Sequence, residues 1–162
     1  MTEDLKKIIF SPKTSNIFNE HDWIINNDLK KKYNFSFVGD LANYYMNIFI
    51  CNENVHFQFT LDLDISNIEL DHLLILINVA NQNVDEGFFV FDFKGRKIKY
   101  NLISSDPLII AERNLQDFLK IKLDLTKSLL HNFVSGVRNL VYGEQIEVGS
   151  LELLFLNNEG CA

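Results

Sequence analysis

The chain has 162 residues, 47% of them hydrophobic, with 14 Phe and a formal net charge of −7. That is one ordinary domain, long enough to bury about 70% of its unfolded surface, so global disorder and a need for stapling disulfides or metals are both excluded. A field of this sign repels phosphate backbones, which argues against general nucleic-acid binding, and no apolar run approaches the ~20 residues of a membrane helix.

From the N-terminus, Glu3 to Phe10 reads as a short helix that Pro12 interrupts, and residues 1–14 read as a loosely attached segment of a single domain spanning 1–162. A second short helix is expected from Ser15 towards His21, followed by a compact apolar anchor at Trp23, Ile24 and Ile25. Tyr33, Phe35 and Phe37 alternate with Asn34 and Ser36, the period of a half-buried strand. Gly39-Asp40 supplies a turn, and Tyr44 to Cys51 forms a second strand. After a turn at Asn52-Glu53-Asn54, Val55 to Asp64 is the clearest strand. Val55, Phe57, Phe59, Leu61 and Leu63 point one way; His56, Gln58, Thr60, Asp62 and Asp64 point the other. Turns this short imply an antiparallel meander.

Ser66-Asn67-Ile68-Glu69 has the form of a capping box, with the Ser66 hydroxyl and the Glu69 carboxylate each accepting from the other's backbone N–H. The helix it opens runs to about Asn83. Leu70, Leu73, Leu74, Ile77 and Ala80 make one apolar stripe, and Ile68, Ile75, Leu76 and Val79 make a second beside it. A surface helix has one such stripe, so this helix is expected either to be central in the monomer or to pack the sheet with one face and a partner with the other. Gly87 to Phe93, a turn at Lys94-Gly95-Arg96 with Gly95 free to take a positive φ, and Lys97 to Ser104 form a hairpin. Phe88 and Val90 lie on the face opposite Phe89, Phe91 and Phe93. Leu115 to about Val141 is a long helix, Gly143 breaks it, and Gln145 to Leu156 reads as a last short helix. The fold class is therefore α+β: an antiparallel five-stranded sheet in the order helix, three strands, helix, two strands, long helix.

With that order on the page, the chain resembles the YbjN-like proteins, also called the bacterial sensory transduction regulator family. The match is carried by Trp23, Tyr44-Tyr45-Met46-Asn47-Ile48, Leu73-Leu74-Ile75-Leu76-Ile77-Asn78, Gly87-Phe88-Phe89-Val90-Phe91 and Val141-Tyr142-Gly143-Glu144, and spans about Ser15 to Ala162. The resemblance implies a fold similar to type III secretion chaperones, often dimeric, which hold extended client segments against sheet and helix surfaces. It brings no catalytic residues.

The candidate chemistry is thin. Asp62 and Asp64 share a strand face and, with His56, suggest a small-molecule or metal-binding sensor or enzyme; a solvated strand end is the simpler reading, because no third ligand is recognisable. His21, His56, His72 and His131 have no ligand spacing among them. Ser104-Ser105-Asp106 lacks the glycine-flanked elbow of a catalytic serine, Gly143-Glu144-Gln145 lacks the form of a phosphate loop, and Cys51 has no activating cation nearby in sequence. Lys30-Lys31-Lys32 and the group Lys94, Arg96, Lys97 and Lys99 read as solvated strand ends. Cys51 and Cys161 form neither a disulfide framework nor a zinc spacing, so a reducing, cytoplasmic setting is expected. The opening Met1-Thr2-Glu3-Asp4-Leu5 lacks the pattern of a signal peptide. The expectation is a non-enzymatic protein-interaction domain, chaperone-like or a regulatory adaptor, without cofactor or metal and homodimeric. Its contact surface is drawn from Ile68, His72, Ile75, Leu76, Val79, Phe88 and Val90.

Overall fold

Ser11 and Pro12 set the course of the N-terminal segment in a computed structural model that describes residues 3–26, 34–51, 54–104 and 112–141. The Ser11 side chain accepts from the Thr14 backbone N–H at 3.4 Å, and Pro12 occupies the first helical turn, where its missing N–H leaves nothing unsatisfied. Pro12 thus ends α1 (Glu3–Ile9) and also opens α2 (Pro12–Glu20), three residues ahead of the expected start at Ser15. Tyr33, the Asn52-Glu53 turn, Lys30 to Lys32, the Ser105-Asp106 step, Tyr142 to Glu144, the last short helix and Cys161 lie outside the described residues.

Asp22 takes a φ of 63° and turns the chain so that Trp23 donates from its backbone to Phe18 O at 2.9 Å. Ile24 and Ile25 then pair with Ser36 and Phe35 as a short strand β1 (Ile24–Ile25). Among the described residues the sheet has six antiparallel strands rather than the five expected, because two residues are too few to show an alternation. The others are β2 (Phe35–Val38), β3 (Asn43–Cys51), β4 (Asn54–Asp62), β5 (Phe88–Asp92) and β6 (Lys97–Ser104). Their spatial order is β1-β2-β3-β4-β6-β5: β6 lies beside β4, and β5 is left at the edge.

The register carries Phe35, Met46, Phe59, Tyr100 and Phe89 across five strands as one continuous buried row. Tyr44, Leu61, Ile98 and Phe91 form a parallel row, and Ile48, Phe57 and Leu102 another. Helices close this face. Phe18 of α2 stacks on Phe35 at 4.2 Å between ring centroids. From α4 (Glu112–Val141), Phe133 stacks on Phe89 at 4.1 Å and Phe118 on Phe57 at 5.2 Å. Of these, the fully buried Phe18, Phe35, Phe89 and Phe133 each contribute roughly 1.5–3 kcal/mol of transfer free energy, and the partly buried Phe118 less.

The helix α3 (Leu70–Asn83) starts later than the capping-box reading requires. Asp64 intervenes: its carboxylate accepts from the Ser66 hydroxyl at 2.6 Å and the Ser66 backbone N–H at 3.0 Å. A charged acceptor two residues away outcompetes the neutral cap, the chain makes a separate turn closed by Ile68 N donating to Ile65 O, and Glu69 becomes the N-cap without a side-chain bond. The two predicted stripes also divide differently. Leu73, Leu76, Ile77, Val79 and Ala80 are buried, while Leu70, Leu74 and Ile75 are exposed. Leu76 and Val79 therefore belong to the interior of the protomer, not to an outer contact stripe.

The α3–β5 connection is tightly specified. Asn81 accepts from Phe89 N at 2.7 Å and donates to Phe89 O at 2.9 Å, which satisfies part of the edge of β5 with a side chain. Gly87 has a φ of 74°, and a Cβ there would lie 2.5 Å from Tyr100 Oη and 2.6 Å from Asn101 O. Tyr100 donates from that hydroxyl to Glu86 O at 2.6 Å. In the hairpin, the positive φ falls on Arg96 (48°) and not on Gly95 as expected. The Asp92 carboxylate accepts from Lys94 N and Gly95 N, both at 3.1 Å, and this Asx-type turn moves the left-handed residue one place along.

Candidate functional site

Two features stand apart from the core: the sheet face that no described helix covers, and a cleft on the helix-covered side.

The uncovered face follows from the same register shifted by one residue. Its middle row is Asn47, Gln58, Asn101 and Phe88, with Gln58 Nε2 donating to Asn101 Oδ1 at 3.0 Å. One row runs Phe49, His56 and Ile103, and the Phe49 and His56 rings stack at 5.0 Å and 11°. Another runs Tyr45, Thr60, Lys99 and Val90. Thr60 is only 2% exposed between Tyr45 and Lys99, and its hydroxyl has no partner. Lys99 is tied to Asp92 at 2.7 Å, and that bond above all holds the Asp92 carboxyl below its usual range. The surface is amide and aromatic at its centre and ionic towards one end.

The predicted acidic pair lies at that end and does not converge. Asp62 accepts from Lys97 at 2.8 Å, whereas Asp64 is occupied by Ser66, whose hydroxyl and N–H hold its carboxyl below the usual carboxylate range. His56 is six residues up the strand from Asp62, roughly 20 Å away at strand rise. Among the described residues no group of three His, Cys, Asp or Glu is placed to hold a metal ion. Cys51 is exposed at the end of β3. No described helix is long and apolar enough to cross a membrane.

The expected contact residues are split by the fold. Phe88 (exposed) and Val90 (half-buried) are on the uncovered sheet face. Ile68, His72 and Ile75 lie at α3 or its start, on the helix side where α3 packs beside β5 and α4. His72 Nδ1 is 3.7 Å from Glu69 Oε2, both largely exposed. Leu76 and Val79 are buried beneath them.

The cleft was not anticipated. It lies between the β2–β3 turn and the middle of α4, with a volume of about 520 Å3. Gly39 N donates to Ala42 O at 2.9 Å to close the turn, and a Cβ on Gly39 would come within 2.7 Å of the Tyr44 ring. Arg138 on α4 donates to Leu41 O at 2.8 Å and pins the turn to the helix. Lys127 Nζ sits 4.1 Å from the Phe37 ring centroid and donates to His21 O at 3.1 Å and Asp22 Oδ2 at 3.2 Å. His21 in turn meets Asp124 at 2.7 Å. Tyr44 stacks on Phe37 at 5.7 Å, and its buried hydroxyl has no partner. Burial pushes that phenol up to about 12, with Arg138 opposing and Asp40 adding to the shift. The only sequence trace of this site was the i, i+4 spacing of Lys127 and His131, which places both on one face of α4.

Compared with known proteins, the chain matches no protein-family model, no curated protein and no solved structure.

Proposed function

We propose that the chain is a non-catalytic protein-interaction domain that receives a protein partner on the uncovered face of its sheet. The observation that carries this reading is the make-up of that face. Aromatic and aliphatic side chains (Tyr45, Phe49, Phe88, Ile103) surround a row of uncharged amides, with the charges kept to one end. Depletion of charge at the centre with aromatic enrichment is the compositional mark of an interface core. A rigid antiparallel scaffold keeps the loss of order on binding small.

The YbjN-like assignment and a chaperone-like or adaptor role belong to this same proposal, supported by the order of elements in the described chain. The simplest partner to test is a second copy. The Asp62–Asp64 sensor reading is not carried forward, since Lys97 and Ser66 already engage those carboxylates.

The test is affinity capture from the native cell, with Phe49→Glu and Ile103→Glu as separate baits and light scattering on each. Loss of one captured protein, or of the dimer, in both variants while the fold is retained supports the reading. Capture and mass unchanged in both would remove it.

A further inference from the structure

The cleft between the β2–β3 turn and α4 has the size of a small-molecule site, about 520 Å3 against the roughly 300–1,000 Å3 typical of such sites. Its apolar wall is the Phe37 ring backed by Tyr44. Its polar wall is one stretch of α4 carrying Lys127, Ser128 and His131. Two of the three ammonium protons of Lys127 have acceptors, His21 O and Asp22 Oδ2, and these bonds hold Nζ over the Phe37 ring with its third donor unused. Ser128 and His131 are both exposed, and among the described residues the Ser128 hydroxyl and the His131 imidazole have no hydrogen-bond partner. Opposite them, the turn supplies Asp40, exposed and, among the described residues, without an ion pair.

The charges around the cleft are balanced. Of the groups that line it, Lys127 is positive and Asp40 negative; Asp22, outside the lining, pairs with Lys127, and Arg138 is bonded to Leu41 O. A pure anion meets the Asp40 carboxylate, and a pure cation meets the Lys127 ammonium. A small molecule bearing both signs on an apolar body meets a partner for each. The Tyr44 hydroxyl beneath the wall is buried and, among the described residues, has no partner. We propose that this cleft binds a small α-amino-acid zwitterion with an aromatic side chain: its carboxylate meets Lys127, Ser128 and His131, its ammonium meets Asp40, and its ring lies against Phe37. This site is separate from the uncovered sheet face and does not depend on it.

The experiment is an amide NMR titration of the full chain with L-phenylalanine, and in parallel with phenylacetate and phenethylamine, each of which carries one of the two charges. L-phenylalanine is expected to give saturable shifts at residues 127–132 and 37–44. Each half-probe should bind about tenfold more weakly, for want of one charge-assisted contact. Asp40→Asn should abolish the advantage over phenylacetate, and His131→Ala should reduce the advantage over phenethylamine. Both positions are exposed, and unchanged spectra elsewhere verify the fold. No saturable shift with L-phenylalanine overturns the site. Equal binding of phenylacetate and L-phenylalanine overturns the assignment of a zwitterion.

Discussion

On one face of the sheet, Phe35, Met46, Phe59, Tyr100 and Phe89 cross five strands in register, and α2 and α4 close over them. On the other face, one residue along the same strands, Asn47, Gln58, Asn101 and Phe88 cross without a described helix above them. Successive side chains on a strand point to opposite faces, so a single-residue offset separates a dry aromatic core from a half-wet surface. The sheet is therefore two objects with one backbone. Its helix face carries stability, and its other face is left uncovered by the described helices.

The sharpest break of that division is charge placed on either side of α3. Leu76→Glu puts an unpaired carboxylate into the interior and should lose more than about 4 kcal/mol, which unfolds the chain. Ile75→Glu, at a half-exposed position, should change stability by no more than about 0.5 kcal/mol. Urea melts of the two variants decide this, and a similar collapse in both would mean that the outer side of α3 is also core. Next in size is Phe133→Ala, which empties the stack on Phe89 and should cost about 3–5 kcal/mol in the same assay.

Gly87→Ala tests the close approach of the chain entering β5 to Tyr100 and Asn101 of β6. Its new Cβ meets backbone and a bonded hydroxyl at a left-handed φ, so a loss of about 1–3 kcal/mol is expected in thermal unfolding. An unchanged Tm would show that the α3–β5 connection relaxes freely.

Tyr44 bears on the alkaline limb of stability. Its folded pKa, about 12, lies above the ordinary value of 10.0. The unfolded chain therefore releases its proton first as pH rises, and the contribution of Tyr44, intact below pH 10, should fall between pH 10 and 12. Tyr100, also raised by burial, acts in the same direction. Tyr44→Phe keeps the ring and removes an unsatisfied hydroxyl. It should be neutral or stabilising by about 1 kcal/mol at neutral pH and should flatten the alkaline loss. A strong destabilisation would show that the hydroxyl has a partner after all. The smallest effect is expected on the uncovered face, where Phe49→Ala should cost about 1 kcal/mol or less, mostly its stack on His56.

How much of this was legible depends on how far the deciding partner lies along the chain. The alternation of Val55 to Leu61 and the heptad-like run from Leu115 to Val137 predict β4 and α4 closely, because burial on one side imposes a period on the sequence. The capping box failed because Asp64, two residues before Ser66, offered a stronger acceptor than the sequence pattern takes into account. The strand β1 escaped notice because two residues carry no period; β2 alone gives Ile24 and Ile25 their role. The expected contact residues fall on two sides of the sheet, with Leu76 and Val79 buried, because a helix apolar nearly all round does not declare which arc turns inward, and the packing of α4 and β5 fixed that arc.

By itself, the sequence determined that this chain folds as helices on an antiparallel sheet, where most of its strands and helices run, and which side of β4 is dry. Those follow from local periodicity and turn chemistry. Only the tertiary structure decided that β6 inserts beside β4, that Leu76 and Val79 are interior while Ile75 is not, and that Phe37, Asp40, Lys127 and His131 share one cleft. These are pairings between segments far apart in the chain. The energy that selects them comes from burying both partners at once, and it leaves no mark in either segment read alone.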